Sequence, residues 1–487
     1  MSGDTVDNLT SKLGDLSTDK APAPAPAPES KPAAPATPAP ASESKPAPET
    51  SAPTEAAAAD KKPEDKANGA SSNLIQSTHS VQVKLADQQA DPNSPLYSVK
   101  SFEELGLHPD LLKGLYAMGF NKPSKIQERA LPLLLSNPPR NMIGQSQSGT
   151  GKTGAFVLTM LSRVDPSLKS PQAICLAPSR ELARQTMDVV LEMSKFTQVT
   201  TALAVKDSLV KGRPVQAQII VGTPGTVMEA IRRKLLPVQA LKIFCLDEAD
   251  NMLDQSGLGD QSLRIQQMIR GKPQILLFSA TFPDHVRRFA SKFAPGANEI
   301  SLKREELSVD AIKQFYMDCD SVEHKYEVLC NLYDLLTVSQ SIIFCAKRES
   351  SDEIARRMTA MGHAVVSLHG GMTPEERDKV MDDFRRGEFK VLITTNVLAR
   401  GIDISQITLV INYDLPTDNR GQPDYEAYLH RIGRTGRFGR TGVSINFVHN
   451  EQTWQMVEMI EKHFQREITR IATDDWEEVE KRLKSVL

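Results

Sequence analysis

From Tyr97 onward, short runs of β-branched and apolar residues alternate with longer stretches of helical periodicity. The first series of runs is Ala173–Leu176, Gln218–Val221, Lys242–Leu246 and Gln274–Phe278. The second is Ser341–Cys345, Ala364–Leu368, Val391–Thr395, Leu409–Asn412 and Val443–Val448. Strands that alternate with helices predict parallel sheets covered by helices. The polar stretch 303–310, Lys-Arg-Glu-Glu-Leu-Ser-Val-Asp, separates the two series. The pattern therefore predicts two α/β domains, 97–302 and 311–487, joined by a hinge at 303–310.

Residues 1–96 read differently. They hold no Phe, Trp or Tyr, and Ala21–Pro48 alternates Ala with Pro. Such a segment cannot bury enough apolar area to offset its chain entropy, so a disordered, partly polyproline-like tail is expected. Residues 72–95 have scattered Leu, Ile and Val and are read as a linker, with a short conditional helix as the alternative.

A chain of 487 residues is too long for a single small module. Charged residues make up 24% and hydrophobic residues 40%, with no run of about 18 apolar residues, so no membrane insertion is expected. The acidic opening, Met1-Ser-Gly-Asp-Thr-Val-Asp, carries no readable signal or transit peptide, which points to nucleus or cytoplasm. The tail has 8 Lys against 13 acidic residues, which leaves 50 basic and 48 acidic residues in the remainder. The formal charge of −3 thus comes from the tail, and charge alone leaves the ligand open. Cys175, Cys245, Cys319, Cys330 and Cys345 form no metal-ligand or C-x-x-C spacing and are expected to be reduced core residues.

Ser146-Gln-Ser-Gly-Thr-Gly-Lys-Thr153 follows a short strand-like stretch and precedes an apolar helical run. Its spacing is that of a phosphate-cradling loop. Gly149 and Gly151 permit the turn, backbone N–H groups of Ser146, Gln147, Ser148 and Thr150 can face phosphate, Lys152 supplies charge, and Thr153 can hold Mg²⁺. A strict G-x-x-x-x-G-K-[ST] pattern fails, because Ser146 occupies the first Gly position. Downstream, the apolar Ile243–Leu246 ends in Asp247-Glu-Ala-Asp250, which places Asp247 and Glu248 at the carboxyl edge of a sheet, where ligands bind in such folds. Asp247 suits Mg²⁺, and Glu248 is positioned to polarise an attacking water.

Asp247-Glu-Ala-Asp250, Ser279-Ala-Thr281 and His430-Arg-Ile-Gly-Arg-Thr-Gly-Arg437 together resemble the DEAD-box RNA helicases of superfamily 2. The resemblance spans roughly Ser101 to His449 and implies two tandem RecA-like domains that close on ATP and RNA. It assigns adenine recognition to Gly119-Phe-Asn-Lys-Pro-Ser-Lys-Ile-Gln127, with Phe120, Gln127 and the upstream Phe102 at the nucleotide. Pro178, Arg180, Thr223, Pro224, Gly225, His369, Gly370 and Thr395 fall in motifs that face RNA in the family. Asp403 is implied at the ribose, while Arg434 and Arg437 are implied to reach across the cleft to the phosphates, where guanidinium groups stabilise transferring phosphoryl charge. Ser279 and Thr281 are implied to couple hydrolysis to RNA rearrangement by bonding the Asp247–Asp250 carboxylates.

Several positions depart from the family pattern. Ser146 stands where Ala is usual, Ser179 where Thr is usual, Thr226 where an RNA-facing Arg is commoner, and Asn396 where Asp is common. A Gly-Gly element expected near Val205–Ser208 is absent. With the stretches 254–262 and 412–430, these departures resemble the branch that acts in mRNA export at the cytoplasmic face of the nuclear pore. That resemblance implies a monomer that remodels messenger ribonucleoprotein, with RNA, nuclear pore proteins, and an export activator assisted by inositol hexakisphosphate as partners. An ATP-gated RNA clamp and a DNA-acting motor of the same superfamily are the alternatives.

Overall fold

In the computed structural model the described residues are 81–85, 98–146, 149–210, 212–254, 257–302, 312–336, 339–396, 404, 406–436 and 441–486. The first sheet contains β1 (Val81–Lys84), β2 (Met142–Gln145), β3 (Ala173–Leu176), β4 (Thr201–Ala204), β5 (Ile219–Gly222), β6 (Ile243–Leu246), β7 (Gln274–Ser279) and β8 (Asn298–Leu302). The second contains β9 (Ile312–Asp318), β10 (Gln340–Phe344), β11 (Val365–Leu368), β12 (Val391–Thr394), β13 (Ile407–Asn412), β14 (Gly442–Val448) and β15 (Thr469–Ile471). Strand order is β1-β8-β2-β7-β6-β3-β5-β4 in the first and β11-β12-β10-β13-β14-β9-β15 in the second. All pairings are parallel except β1 with β8.

The central strands are those whose side chains are buried on both faces. Every residue of β3, β5 and β6 is buried, and such strands read as continuous apolar runs. Helices cover both sides. On one face of the first sheet the helix Lys152–Arg163 buries Phe156, Val157 and Met160 against Cys175, Cys245 and Phe278. On the other face, Phe293 of the helix Asp284–Phe293 joins Phe244 and Leu277. All five cysteines are buried and free, as expected.

The two sheets share one permutation. Reading from β2 gives β2-β7-β6-β3-β5-β4, and reading from β9 gives β9-β14-β13-β10-β12-β11, so each of these strands of the second sheet has a counterpart seven strands earlier, with β9 matching β2 and β14 matching β7.

Five strands lie outside the apolar runs read from the sequence. β4 and β15 are short edges, while β8 and β9 mix polar residues such as Asn298, Lys313 and Gln314 into their runs. The fifth corrects the linker-or-helix expectation for 72–95. Val81–Lys84 is an antiparallel edge strand on β8, with Val83 opposite Ile300. Val81 and Val83 pack against the domain's core while Gln82 and Lys84 face solvent, so the period-2 signal was present but only four residues long. The hinge 303–310 and the tail up to residue 80 lie outside the described residues.

Candidate active site

β2 delivers the chain to the loop before the helix Lys152–Arg163. Gly151 caps that helix with φ 99°, and a Cβ there would meet Gln127 Nε2 and Ser124 Oγ at 2.8 Å each, so only glycine fits. Ser146 Oγ lies 2.6 Å from Thr150 Oγ1, and Ser124 Oγ donates to the Thr150 carbonyl at 2.7 Å. Lys152 is buried and turns back to donate to the Ser146 carbonyl. Thr153 follows it in the first helical turn. Gln147 and Ser148 lie outside the described residues.

The residues expected at the adenine separate into two environments. Gln127 is buried; its Oε1 accepts from the Ser124 N–H at 2.9 Å and its Nε2 donates to the Gly151 carbonyl at 2.9 Å. That amide therefore holds the phosphate loop in place, and one N–H and one lone pair remain for a base edge. Phe120 is half-buried, whereas Phe102 is 1% exposed within the apolar cluster of Leu115, Leu131 and Leu158. Phe102 thus supports the floor of this region and presents no open face.

β6 carries Asp247 to the sheet edge, where Asp247 Oδ1 accepts the Glu248 N–H at 3.0 Å. Glu248 has φ 53°, a left-handed conformation that L-residues with a long side chain rarely adopt. Its side chain is buried, and among the described residues Oε2 has no hydrogen-bond partner. Burial, with Glu248 adding, pushes the Asp247 carboxyl up to about 7, against the opposing pull of the Lys152 ammonium.

Asp250 is the junction. Its N–H donates to Ser279 Oγ at 3.1 Å, and its Oδ2 accepts from the Thr281 N–H at 3.0 Å and Thr281 Oγ1 at 2.8 Å. The Ser279–Thr281 segment thus bonds the last residue of the tetrad, Asp250, and Asp247 is held by its own neighbour. From the second domain, His430 Nε2 comes within 3.3 Å of the same Asp250 oxygen.

Arg431 and Arg434 of the second domain are buried. Arg431 forks onto Asn396 Oδ1 at 3.1 and 2.6 Å, reaches Asn412 Oδ1 and the Asp414 carbonyl, and lies over the Phe344 ring. Burial lowers its pKa to about 10. Arg431 is therefore a bracing group, and the unusual Asn396 supplies its acceptor. Arg434 is also buried, with Nε donating to the His430 carbonyl at 2.9 Å. Asp403 and Arg437 lie outside the described residues.

The groove residues are less uniform than their motifs. Arg180 donates through Nε and Nη2 to Asp378 of the second domain, at 2.7 Å for the shortest contact, and through Nη1 to the Lys206 carbonyl. In this arrangement the guanidinium is taken by a protein carboxylate. Around it, Arg184 pairs with Asp378 at 2.7 Å and Asp382 at 3.4 Å, and Arg377 pairs with Glu181 at 2.5 Å. The helices Arg180–Met193 and Pro374–Arg385 thus face each other with complementary charges at helical spacing. His369 is likewise committed, to Asp352 at 2.9 Å and the Gly371 N–H at 3.2 Å. Gly225 and Gly370 are exposed, Thr223 and Thr395 half-buried, and Pro178 and Pro224 buried. Gly225 is the second residue of the helix Pro224–Arg232, whose first-turn N–H groups favour anions. Thr223 Oγ1 lies 3.4 Å from Thr226 Oγ1, a contact the family's usual Arg could not make.

Residues 124–289 match the family described as DEAD/DEAH box helicase, and residues 324–439 match the helicase conserved C-terminal domain. This chain is a DEAD/DEAH box helicase. It is 65% identical over 416 residues to the ATP-dependent RNA helicase dbp5 of Schizosaccharomyces pombe, spanning 85% of this chain and 83% of that protein. Among solved structures, Dbp5 of S. cerevisiae bound to RNA and ADP BeF3 is 59% identical, covers 80% of this chain and all of its own, and superposes with a TM-score of 0.77. A variant of that Dbp5 bound to Nup159, Gle1, IP6 and ADP is 57% identical, covers 78% of this chain and 99% of its own, and superposes with a TM-score of 0.59. The helicase is accordingly an RNA-dependent ATPase with two parallel-sheet α/β domains.

Sequence reasoning missed three features of the helicase. The pairing of His430 with Asp250 joins elements 180 residues apart, and Asp378 and Asp382 carry no motif of their own. Their signal is the i,i+4 spacing shared with Arg180 and Arg184, legible only once the two helices are known to meet. The strained Glu248 backbone has no signal in residue type at all.

Proposed function

We propose that the nucleotide lies on the 146–153 loop, with Lys152 on its phosphates, Glu248 orienting the attacking water and Arg434 and Arg437 acting from the second domain once the cleft closes. The observation that carries this reading is the convergence at β6 and β7: Lys152, Asp247 and Glu248 are buried together, and Asp250 binds both Thr281 and His430. Asp247, pushed up to about 7 by burial and by the neighbouring Glu248, sits in excess negative charge that a divalent cation would balance. Thr153 and Asp247 would hold Mg²⁺, which when bound neutralises phosphate charge. The protein's own work is to exclude water, to fix Glu248 by its constrained backbone, and to tie the two domains through Asp250.

RNA lies across both domains, on Pro178, Arg180, Thr223, Pro224 and Gly225 of the first and His369, Gly370 and Thr395 of the second. A strand bound to both adds binding free energy to the closed state alone, and a ligand shifts an equilibrium by its differential affinity. The physiological work we infer is the remodelling of messenger ribonucleoprotein during export, by a monomer at the cytoplasmic face of the nuclear pore that also visits nucleus and cytoplasm. The close relatives named Dbp5, one seen with Nup159, Gle1 and IP6, support this reading and the corresponding partners. Steady-state ATPase against RNA concentration tests it: the rate should be low alone and strongly raised by single-stranded RNA. Equal rates with and without RNA would reject the gated mechanism.

A further inference from the structure

The shared strand permutation has a consequence at the far end of the second sheet. In the first sheet, the helices that follow the neighbouring strands β2 and β7 pack on opposite faces, which opens a crevice at the strands' carboxyl ends and seats the phosphate loop there. β9 and β14 repeat the arrangement. The helix Val322–Leu335 after β9 buries Val328, Leu329 and Leu332 on one face, and the helix Glu451–Phe464 after β14 buries Met456, Val457 and Ile460 on the other.

This second crevice is built to refuse phosphate. The loop 319–321 contains no glycine, and the nearest ammonium, on Lys325, is buried against Asp414 at 2.6 Å and lies over the Tyr413 ring. What remains is a cavity of about 250 Å³ whose wall includes Asp318, His449, Asn450, Glu451 and Trp454. Asp320, with a side chain 96% exposed, and Glu323 stand at the same helix start. Against these four carboxylates stands Arg470 of β15, which donates to Asp318. Trp454 is 46% exposed, unusual for so large an apolar side chain, and is one of two tryptophans in the chain.

We propose that this crevice receives an arginine side chain presented by a protein partner. A guanidinium stacks on an indole face and forks onto carboxylates, two contacts that a flexible ammonium meets less well. Asp318 already accepts one guanidinium from its own chain, and the acidic rim opposes nucleic acid.

Full-length Trp476→Phe protein leaves Trp454 as the sole tryptophan, and its emission is followed while acetyl-Gly-Arg-Gly-amide is added, with the lysine and citrulline peptides as comparisons. The arginine peptide should give a saturable change, the lysine peptide a weaker one, and the neutral citrulline peptide none. Glu451→Gln should weaken the arginine response about fivefold while leaving basal ATP hydrolysis unchanged. If Trp476→Phe does not fold, the difference between wild type and Trp454→Phe reads the same signal. A citrulline response equal to that of arginine, an unchanged response in Glu451→Gln, or saturable displacement by single-stranded RNA would each overturn the proposal.

Discussion

His430 Nε2 of the second domain lies 3.3 Å from Asp250 Oδ2 of the first, on the oxygen that also accepts both donors of Thr281. Both residues are almost fully buried, so a single carboxylate oxygen meets the Ser279–Thr281 segment and the opposite domain together. His430→Gln should lower the RNA-stimulated ATPase rate while leaving the RNA-free rate nearly unchanged, because only the closed cleft uses the contact. Equal losses in both rates would place His430 in the chemistry of the first domain instead.

Glu248→Gln should keep ATP and RNA binding and lose about 10²–10⁴ in turnover, the usual contribution of a positioned base. The amide preserves length and backbone demand, so circular dichroism should match wild type. Near-normal turnover would remove Glu248 from its assigned place. Chelation of divalent metal by EDTA should stop turnover equally, and excess Mg²⁺ should restore it.

Lys152→Ala should act one step earlier. Loss of a charge-assisted contact of roughly 1.5–3 kcal/mol predicts nucleotide affinity weaker by more than tenfold, read by equilibrium titration with a fluorescent nucleotide. Unchanged affinity would count against the loop.

Arg180→Ala and Asp378→Ala should not be additive. Both side chains are less than 20% exposed and meet at 2.7 Å. Burial pushes the Asp378 carboxyl up, yet the Arg180 and Arg184 hydrogen bonds hold it below the usual range. A double-mutant cycle on urea-induced unfolding should give a coupling of about 1 kcal/mol, shrinking at high salt. Additive effects would mean that the domains do not meet here in solution.

A chain starting near Ser71 should retain RNA-stimulated turnover, since an Ala/Pro-rich segment without aromatics supplies neither core nor pocket. A chain starting after Lys84 should melt earlier. It loses the half-buried Val81 and Val83, about 1 kcal/mol each, and bares the edge of β8. Identical melting curves for the two truncations would show that β1 adds nothing.

The central strands and the phosphate loop were legible because burial on both faces leaves a continuous apolar run and because a phosphate cradle demands glycine at fixed offsets. Strands with mixed runs were not, since Ile312–Asp318 interleaves Lys and Gln with its core residues, and short strands such as Thr201–Ala204 and Thr469–Ile471 offer too few residues for a pattern. Motif identity placed Phe102, Arg180 and Arg434 in the right neighbourhood but could not say what each side chain touches. Phe102 is core, Arg180 is held by Asp378, and Arg434 donates to the His430 carbonyl. The Arg180 outcome depends on a residue 198 positions away.

The Arg180–Asp378 pair also bears on how RNA affinity should respond to ionic strength. A basic side chain that binds a phosphate from free solution gains from releasing condensed cations, and each such contact steepens the salt dependence. Here Asp378 is a tethered counter-charge that must be displaced first, and salt loosens that ion pair as well as the one replacing it. An Arg180–phosphate contact would then contribute less than a full unit to the salt slope, and Asp378→Asn should make binding both tighter at low salt and more steeply salt-dependent.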